Sequence, residues 1–113
     1  MSGHTDVVPV DGQDWSTNPW VLTERDGRLY GRGTCDMKGF AACALAFAPA
    51  MARASLTAPI HIALSYDEEI GCLGAPSLVE VLNQHYAKPE AVIIGEPSDM
   101  GVVSGQKGLS TFQ

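Results

Sequence analysis

The chain has 113 residues, 45% of them hydrophobic, which suits one ordinary folded domain and argues against disorder. Its net charge of -6 argues against nucleic acid as a partner, because phosphate binding needs a surplus of Lys and Arg. No apolar run approaches the ~18 residues that span a bilayer, and no basic-then-apolar leader opens the sequence. The three cysteines, Cys35, Cys43 and Cys72, form no CxxC pair, so a disulfide scaffold and a thiolate zinc knot are both poor readings. A reducing cytoplasm is the simplest setting, and Cys43 reads as a small core residue of a helix.

In chain order, "MSGHTDVV" reads as the end of a strand. "WVLTERDGRLYGRG" reads as two short strands around Asp26-Gly27, a hairpin signal. "MKGFAACALAFAPAMARA" reads as a helix with Phe40, Ala44, Phe47 and Met51 on one face, kinked or ended early by Pro49. "PIHIALSY" alternates as a strand, with Ile60, Ile62 and Leu64 on one side. "GAPSLVEVLNQHYA" reads as a helix with Pro76 in its first turn. "EAVIIGE" reads as a short buried strand, and "GVVSGQKGLSTFQ" as a further strand pair. Strands alternating with helices predict an α/β fold, a mostly parallel sheet with flanking helices. Both ends read as cut, so residues 1–113 are expected to be an internal piece of a larger domain.

The polar residues of interest follow the predicted strands. His4 and Asp6 follow the first, Asp36 lies between "GRGTC" and the helix, and Asp67, Glu68 and Glu69 follow "PIHIALSY". Glu96 follows "AVIIG". Ligands of open α/β sheets bind at this edge. Adjacent carboxylates repel, and no Lys or Arg lies within a dozen residues of 67–69 to meet them. One imidazole among carboxylates suits zinc or a similar divalent ion, which supplies the missing positive charge.

Each residue also has an ordinary role. Asp36 before a helix could be an N-cap, Glu68 and Glu69 a solvated pair, and Glu96 before Pro97 the start of a turn. His61 reads as a sheet-face residue, and His85 as a partner of its helix dipole. The coincidence of four strand-end positions is what favours a metal centre over these separate roles.

"SGHTDVVPVDG", "GRGTCDMKG", "YDEEIGCLGA" and "IGEPSD" resemble, in order, the signature segments of one family. It is the acetylornithine deacetylase / succinyl-diaminopimelate desuccinylase family of di-zinc metallopeptidases, and the wording of the segments leans toward the acetylornithine deacetylase branch. The resemblance implies a partial catalytic domain of a di-zinc aminopeptidase-like fold. It implies that His4 binds the first metal with Glu96, that Asp36 bridges two metals and that Glu69 binds the second. Asp6 would support and orient His4. Glu68 would be the general base, taking a proton from the attacking water and passing it to the leaving amine. It further implies a cis peptide between Asp36 and Met37. Two divalent ions, zinc favoured and cobalt an alternative, would balance the charge of Asp36, Glu69, Glu96 and ionised Glu68.

The reaction so implied is hydrolysis of the amide bond of an N-acyl amino acid, with N-acetylornithine, in arginine biosynthesis, as the first expectation. Succinyl-diaminopimelate and other N-acyl amino acids are the alternatives within the family. A non-catalytic metal-binding homologue and a plain structural α/β domain are the alternatives outside it. The family's further metal-ligand histidine and its inserted dimerisation domain have no counterpart in these 113 residues. A cytoplasmic homodimer is expected for the full-length enzyme, and no inherent activity for this piece.

Overall fold

A computed structural model describes residues 1–105, 107 and 108. It has four short strands, β1 (Ser2–His4), β2 (Thr23–Arg25), β3 (Arg28–Tyr30) and β4 (Ala63–Ser65). A turn of wide helix at Thr34–Lys38 leads into α1 (Gly39–Arg53), and α2 (Ala75–His85) follows β4. The fold is α/β, as the alternation of elements predicts. β1 pairs in parallel with β4, with Ser2 opposite Ala63 and His4 opposite Ser65. On its other edge Ser2 forms a parallel bridge to Ile94. β1 is therefore the middle of the sheet, and three segments distant in sequence end beside each other there.

β2 and β3 form the antiparallel hairpin expected around Asp26-Gly27, both of which have positive φ. Such a turn relieves the strands of their twist mismatch. Arg25 stacks its guanidinium on Tyr30, 4.7 Å from the ring centroid. The hairpin hands the chain through Arg32, whose guanidinium lies 4.9 Å from the Trp15 ring centroid, toward the turn that carries Asp36.

Alanine-rich α1 continues through Pro49 to Arg53, so it does not end early there. Pro49 removes the bond to the Leu45 carbonyl, but this side of the helix is exposed, so the carbonyl is open to solvent. The flanking alanines carry the helix past the break. Its covered stripe runs through Ala41 and Ala44, not through Phe47, which is 64% exposed. Cys43 lies about 100° around the helix from Ala44 and is exposed, so it is not a core residue. The other two cysteines are also free and exposed. In α2, Pro76 occupies the first turn, where its missing N–H costs nothing, and His85 lies in the last.

Two predicted strands are shorter than the sequence implies. In "PIHIALSY" only Ala63–Ser65 is strand, because the pairing partner β1 is itself three residues long. The Met1 ammonium and carbonyl extend the pairing only as far as His61 and Ala63. His61 consequently leaves the sheet and packs its ring 4.7 Å from that of Tyr86. "EAVIIGE" contributes the single bridge at Ile94, and Val92, Ile93 and Ile94 are 56–63% exposed rather than buried. The run lies at the sheet edge, and among the described residues no element covers it. Residues 101–105 are not strand, and the rest of the second predicted pair, at 106 and 109–113, lies outside the described residues.

Among the described residues the buried apolar core is correspondingly small: Met37, Ala41 and Ala44. The radius of gyration is 16.4 Å, against roughly 13 Å for a compact domain of this length. Among the described residues no helix is long and apolar enough to cross a membrane.

Candidate metal centre

The centre is built on His4, the last residue of β1, which is 2% exposed. Its Nδ1 lies 3.0 Å from the Asp6 backbone carbonyl. A carbonyl can only accept, so Nδ1 carries a proton, and in the neutral ring the lone pair of Nε2 turns outward. That lone pair points into carboxylates: Asp36 Oδ1 at 3.1 Å, Glu68 Oε2 at 3.8 Å and Glu96 Oε1 at 3.8 Å. A lone pair facing anions is repulsive unless a cation lies between them. The same carboxylates favour a proton there: burial is the largest influence on the His4 pKa and lowers it. Asp36, the Asp6 carbonyl, Glu96 and Glu68 together outweigh it, and the pKa is raised.

One ligand atom from each of His4, Asp36 and Glu69 lies within 4.8 Å of the others, and such a set could hold a metal ion. The donors, one imidazole and two carboxylates, are those that suit zinc-like divalent ions. Glu68 and Glu96 stand beside this set. Glu96 is raised in pKa, first by burial and then by the charge of Asp36, as expected for a carboxylate crowded by another. Among the described residues no Lys or Arg forms an ion pair with any of these carboxylates; their ion pairs all run to His4. Asp67 takes a positive φ and turns the chain, its carbonyl accepting the Leu73 N–H at 3.0 Å.

Asp6 does more than the sequence suggests. Its backbone carbonyl, not its carboxylate, makes the hydrogen bond to His4. Carboxylate Oδ1 lies 3.4 Å from Nδ1 but lacks hydrogen-bond geometry and is buried without a partner. The other oxygen, Oδ2, accepts the Glu69 backbone N–H at 3.1 Å. Burial raises the Asp6 pKa, but the backbone N–H groups of Glu69 and Glu68 lower it further, and the net direction is down. One side chain thus ties the loop after β1 to the loop after β4.

Asp36 sits in the turn between hairpin and helix, and its peptide to Met37 is cis, as the resemblance implies. It is not an N-cap: no side chain caps either helix end there. The cleft beneath is lined by Ser2, Gly3, His4, Ser65, Glu68, Cys72, Ile94 and Glu96. Sequence reasoning missed three neighbours. Cys72 donates its thiol to Glu68 Oε1 at 3.4 Å, and the i, i+4 spacing was the available signal. Met37 is fully buried beneath His4. The Phe40 ring presses on Gly95, where a Cβ would overlap it, and so seats the turn that presents Glu96.

With this geometry in view, residues 1–105 match the model of peptidase family M20/M25/M40. The chain is 39% identical over 108 residues to a protein named acetylornithine deacetylase from Pasteurella multocida (strain Pm70). The alignment covers 96% of this chain but 28% of that relative's length. No solved structure gives a significant match. A family model that spans nearly the whole chain, with the buried histidine and its carboxylates at the sheet edge, places this protein in peptidase family M20/M25/M40.

Proposed function

We propose that these residues are part of the catalytic domain of a metal-dependent amidohydrolase that cleaves N-acyl amino acids. N-acetylornithine is the first candidate substrate, with ornithine and acetate as products. The observation that carries the reading is the buried His4 ring with its Nε2 lone pair directed at Asp36 and its neighbours. The 39% identical relative named acetylornithine deacetylase supports the substrate class. Succinyl-diaminopimelate and other N-acyl amino acids are the alternatives. The extensive exposed apolar surface and small core support a place inside a larger domain.

In this reading His4, Asp36 and Glu96 would hold one divalent ion, and Asp36 and Glu69 would supply ligands to a second. Zinc is favoured, with cobalt the alternative. When bound, the ions polarise the substrate carbonyl and make water a better nucleophile. The protein's own residues do the rest. The Asp6 carbonyl fixes the His4 tautomer. The Asp6 carboxylate fixes the Glu69 backbone. Glu68, whose Oε2 faces the His4 ring edge from 3.8 Å, takes the proton of the attacking water and returns it to the leaving nitrogen. The full-length enzyme is read as a cytoplasmic homodimer serving arginine biosynthesis. The 113 residues alone are read as inactive, since they span only 28% of the relative's length and substrate orientation can supply ~7–11 kcal/mol.

Calorimetric titration of the folded chain with zinc tests the reading. Heat of binding and a raised thermal midpoint are expected, both lost in His4→Asn. A folded chain that takes up no zinc would overturn it.

A further inference from the structure

The β1 backbone leaves one hydrogen-bond donor over, and the residue that takes it is Met37. In a parallel sheet alternate amides of a strand point to opposite neighbours. The Ser2 N–H donates to Ile93 at 2.7 Å, and the Gly95 N–H returns to the Ser2 carbonyl at 3.4 Å. The next amide on that edge is His4. Its partner would be the chain after Ile94, but the pairing there is a single bridge. Instead the His4 N–H donates to the Met37 thioether, with Sδ at 3.2 Å. A thioether is a weak acceptor, yet a buried amide without any acceptor is worse.

The packing is as specific as the bond. Met37 is 0% exposed and His4 2%, and they are the largest fully buried side chains described. A Cβ added at Gly3 would come within 2.7 Å of Met37 Cε and 3.2 Å of Sδ. A side chain at position 3 would force the thioether to shift from this position. Met37 also follows Asp36 directly in the chain. It therefore touches one candidate ligand through its backbone and the other through its sulfur.

We infer that Met37 is the positioning residue of the metal centre, its sulfur holding the His4 amide so that His4 and Asp36 keep a fixed relation. The inference rests on the proposed metal reading for its consequence, but not for the contact itself. An ordinary core methionine would fill the same space without the hydrogen bond, and the two roles separate by experiment.

The chain has four methionines, so Met51→Leu with Met100→Leu leaves Met1 and Met37 alone. In that background the full chain is made with methionine, with selenomethionine, or with norleucine, which keeps the shape but has no acceptor. Selenomethionine should retain slow His4 amide exchange and zinc affinity within about twofold. Norleucine should speed His4 exchange and weaken zinc by at least about fivefold, the lower end of an unmet buried amide. Selenium-77 NMR of the selenomethionine chain should show coupling between selenium 37 and the His4 amide proton, whether or not the norleucine chain folds. Absence of that coupling, or a folded norleucine chain unchanged in both readouts, would overturn the inference. A methionine chain that takes up no zinc would instead overturn the metal reading, while coupling and exchange still decide the hold on His4.

Discussion

The Asp6 carboxylate accepts the Glu69 backbone N–H at 3.1 Å, joining positions 63 residues apart. It also lies 3.4 Å from the His4 ring through its other oxygen. Removing it should loosen both candidate ligands. Asp6→Ala leaves the Glu69 amide without its acceptor, which should cost about 1–3 kcal/mol. Asp6→Asn keeps an acceptor oxygen and should cost less. Chemical denaturation of the metal-free chain gives both values, and equal losses would mean that the charge, not the hydrogen bond, is what matters.

Glu68 and Glu69 should separate by function in the full-length enzyme. Glu68→Gln is expected to leave metal content nearly intact and to cut turnover by about 10²–10⁴-fold or more. Glu69→Gln is expected to lower metal occupancy, read by atomic emission. If Glu68→Gln emptied the site, the two roles would be exchanged.

Stability of the metal-free chain should depend on pH in a definite sense. The His4 pKa is raised on folding, so its contribution is full below its ordinary value of 6.5 and is lost as pH rises through the folded value. Glu96, also raised, acts in the same sense from 4.5 upward. Asp6 is lowered, so its contribution is present above 3.8 and is lost as pH falls through the folded value. The thermal midpoint of metal-free protein should therefore decline above about pH 6.5, and His4→Asn should flatten that decline. Zinc should have its largest effect on the high-pH side, where the proton no longer occupies Nε2. A midpoint that rises from pH 6.5 to 8 without metal would contradict the His4 geometry.

Gly95→Ala should destabilise the chain by about 1–3 kcal/mol, because the new methyl group would overlap the Phe40 ring. Glu96 follows directly, so zinc affinity should fall with it. Phe40→Ala makes room, and in the double variant the Gly95→Ala loss should shrink. Purely additive losses would show that the ring does not seat this turn.

The candidate site was more legible in the sequence than the fold around it. His4, Glu68, Glu69 and Glu96 follow segments that meet at β1, and Asp36, between the hairpin and α1, joins them at that edge. The hairpin was legible because Asp26-Gly27 is a local turn signal. Strand length was not, because it depends on a partner: "PIHIALSY" alternates throughout, but pairing stops where β1 does. The stripe of α1 was misplaced because large residues suggested the buried face, whereas close packing chose Ala41 and Ala44. Met37 gave no signal, since a methionine in a turn has no periodicity to read.

The central place of β1 has a consequence for how the chain acquires its shape. Thr5 reaches Ser65 across 60 residues, and Ser2 reaches Ile93 and Ile94 across a still longer span. The helices and the hairpin can form from neighbours, but each β1 pairing must close a long loop first. Such non-local contacts slow folding and come late. His4 can meet Asp36 across a loop of moderate length, but Ser65, Glu68 and Glu96 reach it only once the long loops have closed.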